Sequence, residues 1–172
     1  DEYLTTQMKD REKVEGALRL YAKFQYADLY TFRGATTTSS QYYFVGDTVN
    51  FPSDSKYGYD FKGWCDDEGF STTPLYKEVK ITQTMADGDR EYHAKHTPTV
   101  YNITYKLDNV TVYDTDTYTI EQTKTLLAEG AGAPNKRGYQ FLGWKLNNTG
   151  SIITYLSGRT GDVDLYAQFK AL

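Results

Sequence analysis

The chain has 172 residues with 19 basic and 23 acidic side chains, a formal net charge of −4, which is room for one ordinary domain or two small ones. Its basic residues are dispersed, which excludes the clustered electrostatic footprint of a nucleic-acid binder, and no apolar run is long enough to span a bilayer as a helix. Aromatic residues make up 16%, with 17 tyrosines, so small cores can be filled by large amphipathic rings. A lone cysteine, Cys65, cannot form an internal disulfide, and it fixes no compartment.

Residues 7–15, with Lys9, Asp10, Arg11, Glu12 and Lys13, are highly charged and compatible with a solvated turn or a short helix. They lead into Gly16-Ala-Leu-Arg-Leu-Tyr-Ala-Lys-Phe24, which aligns without gaps with Gly88-Asp-Arg-Glu-Tyr-His-Ala-Lys-His96 and Gly161-Asp-Val-Asp-Leu-Tyr-Ala-Gln-Phe169. The three starts, at 16, 88 and 161, lie 72 and 73 residues apart. In the last copy Leu165, Ala167 and Phe169 alternate with Tyr166 and Gln168, the period of a strand, so the signature reads as the strand that closes a unit. The first copy has no unit before it. The expected organisation is therefore residues 1–24 as the closing part of a preceding repeat, 25–100 as unit one and 101–172 as unit two. The chain then reads as a fragment that opens inside a unit, so the lack of signal-peptide features at its start carries little weight.

Farther along, Tyr101, Ile103, Tyr105 and Leu107 alternate with Asn102, Thr104 and Lys106, which predicts a half-buried strand. Shifted back by 73 residues, the same strand falls on 26–32. Residues 42–51 and 118–127 add apolar positions, and 121–129 are compatible with either a strand or a short helix. A heptad then occurs twice, as Gly58-Tyr-Asp-Phe-Lys-Gly-Trp64 and Gly138-Tyr-Gln-Phe-Leu-Gly-Trp144, with five of seven positions identical. In a regular strand Trp64 would point away from Tyr59 and Phe61. Gly63 and Gly143 are thus expected to supply a bulge or bend that turns each Trp onto the core. The stretch from Trp64 to Gly88 exceeds that from Trp144 to Gly161, so a loop differs between the units. Residues 96–100, with Pro98, read as a short extended linker.

Little in this pattern carries chemistry. His93 and His96 lie three apart on a predicted strand and replace Tyr166 and Phe169 of unit two, so a packing role outweighs metal ligation, which needs several convergent ligands. Asp66-Asp-Glu-Gly69 and Asp114-Thr-Asp116 lack EF-hand spacing and read as solvated segments. No acidic pair repeats between units as a glycosidase pair would, and no Gly-x-Ser-x-Gly elbow occurs. Cys65 has only the two strand histidines as possible partners and reads as a turn or edge thiol. Gly130-Ala-Gly-Ala-Pro134 lacks a following Gly-Lys-Ser/Thr and reads as a flexible connection. Asn102, Asn109 and Asn147 head short glycosylation-type tripeptides that arise easily by chance. Tyr42, Tyr43, Tyr57, Tyr113 and Tyr118 could form platforms for sugar rings, or simply cover small sheets.

Tyr101-Asn-Ile-Thr-Tyr105, the Gly138 to Trp144 heptad and the Gly161 to Phe169 close, in that order, resemble the Listeria-Bacteroides repeat, of which the internalin-B B-repeat is the familiar member. The resemblance covers nearly all of 101–172 and, with departures at His93 and His96, unit one; residues 1–24 match only the closing strand. It implies a mainly β fold, α+β at most, of small β-grasp or ubiquitin-like units strung in arrays on secreted and surface proteins of bacteria. It supplies no catalytic, cofactor or metal residues, and it makes the shared Tyr, Phe, Gly and Trp scaffold.

The expected function is a non-enzymatic stalk or spacer segment of a bacterial cell-surface or secreted protein, with an adhesin role as a further option. No cofactor is expected. Partners would be neighbouring repeats and a host or bacterial surface protein or glycan, with nucleic acid and membrane insertion excluded. The alternative is a carbohydrate-binding module that uses exposed tyrosines. Trp64 and Trp144 should be buried, and the functional surface should lie in the loops that differ between units.

Overall fold

The computed structural model describes residues 27–71 and 88–172 apart from 72–87, with Ala22, Thr73 and the backbones of Arg11–Val14, Ala17–Leu20 and Val79–Lys80. Every regular element among them is a strand. Two compact units form, one of residues up to Ser55 with Phe61–His96, the other of Lys56–Asp60 with Thr97–Leu172.

At the start, β1 (Arg11–Val14) pairs antiparallel with β2 (Ala17–Leu20). Part of the charged stretch expected to be a turn or short helix is therefore a strand, and Ala17–Leu20 carries the first closing signature. The remainder of both apart from Ala22, including Tyr21 and Phe24, lies outside the described residues.

In the first unit β3 (Asp28–Arg33) and β4 (Thr38–Tyr43) form a hairpin, and the sheet order is β4-β3-β8-β6. Here β6 is Tyr59–Cys65 and β8 is Arg90–Pro98, with β3 and β8 parallel. A separate pair joins β5 (Thr48–Val49) to β7 (Val79–Lys80). Because β8 continues through Pro98, the expected linker shrinks to Thr99 and Val100.

The second unit repeats this plan. Strand β9 (Tyr101–Lys106) pairs antiparallel with β10 (Val112–Tyr118) and parallel with β15 (Val163–Ala171). Beyond β15 come β12 (Tyr139–Leu146) and the two-residue β13 (Ile152–Ile153), giving the order β10-β9-β15-β12-β13. Strands β11 (Thr123–Thr125) and β14 (Tyr155–Ser157) pair separately. The 121–129 ambiguity thus resolves against a helix: Thr123–Thr125 pair with β14, Glu121 lies in a turn and Ala128 in an isolated bridge.

The alternation expected of β9 and β15 holds, since Ile103, Tyr105, Val163, Leu165 and Ala167 are buried while their neighbours are partly open. Leu107 departs from it, lying past the strand end and 37% exposed. The second core joins these residues to Tyr118, Leu126, Trp144 and Leu156. The first is more aromatic, built on Tyr30, Phe32, Tyr43, Trp64 and Tyr92 with Val49. There Phe32 stacks on Tyr92 at 5.6 Å and meets Trp64 edge-on at 5.3 Å, a geometry favoured by ring quadrupoles.

Candidate functional site

The heptad is architecture in both units. Trp64 and Trp144 are 2% and 1% exposed, and each indole Nε1–H donates to a backbone carbonyl, Pro52 at 2.7 Å and Leu127 at 2.6 Å. Gly63 and Gly143 adopt φ of 121° and 130°, in the region that favours glycine. Between Phe141 and Gly143 the register against β15 shifts, so Leu142 is the extra residue of a bulge. Phe141 and Trp144 then lie on one face with centroids 5.3 Å apart, and Phe61 meets Trp64 at 5.8 Å. The heptad's first turn is duplicated too, with Lys56 Nζ 3.7 Å over Tyr59 and Lys136 Nζ 4.2 Å over Tyr139.

The closing signature carries a device that the sequence reading missed. Asp89 and Asp162 follow the repeated glycine, and each accepts the backbone N–H of the opposing first strand, Leu29 at 2.8 Å and Asn102 at 2.7 Å. The Asn102 side-chain amide also donates to Asp162, and the backbone bond first of all holds that carboxyl below its ordinary range. The recurrence of Gly-Asp at 88 and 161 was the available signal. A second duplicated contact joins the same parallel strands, Arg33 to Glu91 and Lys106 to Asp164.

His96 packs in the place of an aromatic ring. The His96 ring lies 5.4 Å from Phe61, as Phe169 lies 5.7 Å from Phe141. Its Nε2 is 3.2 Å from Asp54 Oδ2, an ion-pair distance without hydrogen-bond alignment, and both side chains are nearly buried. That carboxylate also accepts the Ala35 N–H. His93 instead faces Glu91 at 3.1 Å, so the two imidazoles have different acidic partners. Among the described residues no three His, Cys, Asp or Glu side chains converge as metal ligands.

The other candidates are dispersed. Asp67 accepts the Ser71 amide and hydroxyl, and Asp116 pairs with Lys124 at 2.6 Å while Asp114 caps the Thr115 amide. Cys65 is fully buried at the end of β6, which corrects its reading as a turn thiol but keeps it on the strand that ends the sheet order. The Gly130-Ala-Gly-Ala-Pro134 connection is a hydrogen-bonded turn, with the Ala131 and Ala133 amides both donating to the Ala128 carbonyl.

The tyrosine platform needs correction. Tyr43 and Tyr118 are core residues at 7% and 1% exposure, and the Tyr118 hydroxyl donates to the Gly161 carbonyl at 2.6 Å. Tyr43 was misread because adjacent strand residues face opposite ways, and only the pairing of Tyr43 with Asp28 reveals which of Tyr42 and Tyr43 points inward. Tyr42, Tyr57 and Tyr113 are exposed, and Tyr155, absent from the expected set, is 59% exposed. It stands on the wall of a half-open groove of about 430 Å³ with Arg159. A smaller apolar cleft of about 260 Å³ lies over Trp144, between Leu127 and Ile153.

This duplicated frame is matched by known sequences. Residues 101–168 match the Listeria-Bacteroides repeat domain, and residues 31–100 match the divergent InlB B-repeat domain. The two matched segments are thus repeat domains of the kinds found in internalin-like bacterial surface proteins. It is similar to internalin H of Listeria monocytogenes serovar 1/2a, with 33% identity over 118 residues. That alignment covers 67% of this chain and only 20% of internalin H.

Proposed function

We propose that this chain is a non-enzymatic spacer segment of a bacterial cell-surface or secreted protein, holding another domain at a set distance and adding weak protein or glycan contacts through its variable loops. Each unit is read as a variant of the β-grasp fold whose regular elements, among the described residues, are all strands. The order β10-β9-β15-β12-β13, with parallel strands at its centre, supports that reading. Residues 25–100 and 101–172 are proposed as the whole repeats, with 1–24 closing an earlier one.

The observation that carries the spacer reading is the use made of the repeated residues. The Trp, Gly and Asp positions shared by the units fill cores, form bends and cap strands, so these repeated residues serve the fold. Repetition then sets length, and any weak contact gains by avidity.

The test is replacement on the cell. In a displayed fusion, removing residues 31–168 should bury a terminal epitope, and an unrelated β-repeat pair of equal length should restore antibody access. Restoration only by the native repeats would sink the spacer reading in favour of specific recognition.

A further inference from the structure

We propose that the groove beside β14 in the second unit binds a saccharide that bears a carboxylate. The groove is walled by Ile152, Thr154, Tyr155, Ser157 and Arg159, and its volume of about 430 Å³ lies within the range of small-molecule sites. It is built by the segment between Trp144 and Gly161, where the two units differ in length.

Its chemistry fits a sugar acid. Tyr155 is 59% exposed on the short strand β14, whose backbone is fixed by pairing with β11, so an aromatic face is offered at little cost in disorder. The hydroxyl of Ser157 is tied to Thr123, which fixes the neighbouring edge. Arg159 is exposed and makes no ion pair or hydrogen bond among the described residues, although it stands close enough to Tyr118 to act on its phenol electrostatically. A guanidinium with its donors open matches a carboxylate in two-point geometry. The nearby carboxylate of Asp162 is already engaged by both amides of Asn102.

A second ring adjoins this edge. Tyr57, 73% exposed, belongs to the same compact unit, and its hydroxyl accepts from Thr160, the residue after Arg159. Aromatic rings beside one open cation are the combination that separates an acidic sugar from a neutral one. The net charge of −4 gives no long-range attraction, so the contact is local and salt-sensitive.

Binding is measured by calorimetry and NMR titration of the whole chain with 3′-sialyllactose, a hyaluronan tetrasaccharide and neutral lactose. At least one acidic probe should bind roughly tenfold tighter than lactose, and the responding arm tells a sialylated glycan from a uronate polymer. Tyr155→Ala and Arg159→Gln should each weaken that binding by about tenfold, with circular dichroism unchanged, while Tyr42→Ala in the first unit should not. Absence of binding at millimolar acidic probe, equal binding of lactose, or binding that survives both variants overturns the proposal. None of those results touches the spacer reading, which requires no ligand.

Discussion

Deleting the indole of Trp144 removes a side chain 1% exposed, its donor to Leu127 and ring contacts with Tyr105 and Phe141 at 4.7 and 5.3 Å. Trp144→Ala should cost about 3–5 kcal/mol in urea unfolding, and Trp64→Ala a similar amount in the first unit. Glycine gives a finer test. At Gly143 a Cβ would collide with Ile152 Cγ2 and would also face φ of 130°, whereas Gly138, at φ of 79°, opens on free space. Gly143→Ala is expected to lose about 2–3 kcal/mol and Gly138→Ala about 1 kcal/mol, read from paired denaturation curves. Similar losses at both positions would deny the close approach of β13 to the bulge.

Among the elements, the parallel pair β9 and β15 depends on a cap that neither strand supplies from its own backbone. Asp162 binds the Asn102 amide, and its folded carboxyl titrates below the ordinary 3.8. A depressed folded pKa stabilises above the unfolded value and is lost as pH falls through the folded one. Melting of the second unit should therefore drop below pH 4, and Asp162→Asn should flatten that acid limb, with Asp89→Asn weakening the first unit by the same contact. An unchanged limb in Asp162→Asn would remove the cap from the account.

Much of this scale was legible in the sequence. The alternation in 101–107 and 165–169 marked β9 and β15, and the face conflict inside the heptad marked the bulge, because both are local consequences of a period of two. The short strands β11 and β14 were not legible, since three residues such as Thr-Lys-Thr show no period and owe their conformation to a partner about 30 residues away. Asp162 was hidden for a related reason: its partner, 60 positions earlier, is brought beside it only by the parallel crossover. The groove at Tyr155 and Arg159 arises from the same loop and was foreseen only as a place to look.

At the scale of the molecule, both cores hide phenols from water. Burial is the first cause that raises Tyr30, Tyr43, Tyr92 and Tyr118, and it pushes Tyr105 up to about 12. With a folded pKa above the unfolded value of 10, the neutral form stabilises the fold at lower pH, and that stability is lost between about pH 10 and 12. Alkaline titration should show tyrosinate absorbance rising together with loss of β-sheet dichroism in that window. Full ionisation of the tyrosines with the sheet signal intact would contradict the packing described for these cores.

The first and last strands of the second unit, β9 and β15, are parallel neighbours. A tug applied at Tyr101 and at Leu172 pulls those two strands lengthwise past each other, so their hydrogen bonds bear the load together instead of opening one after another like a zip. Single-molecule stretching of residues 101–172 should accordingly yield at a higher force from these ends than from an attachment that peels β10 off the sheet edge.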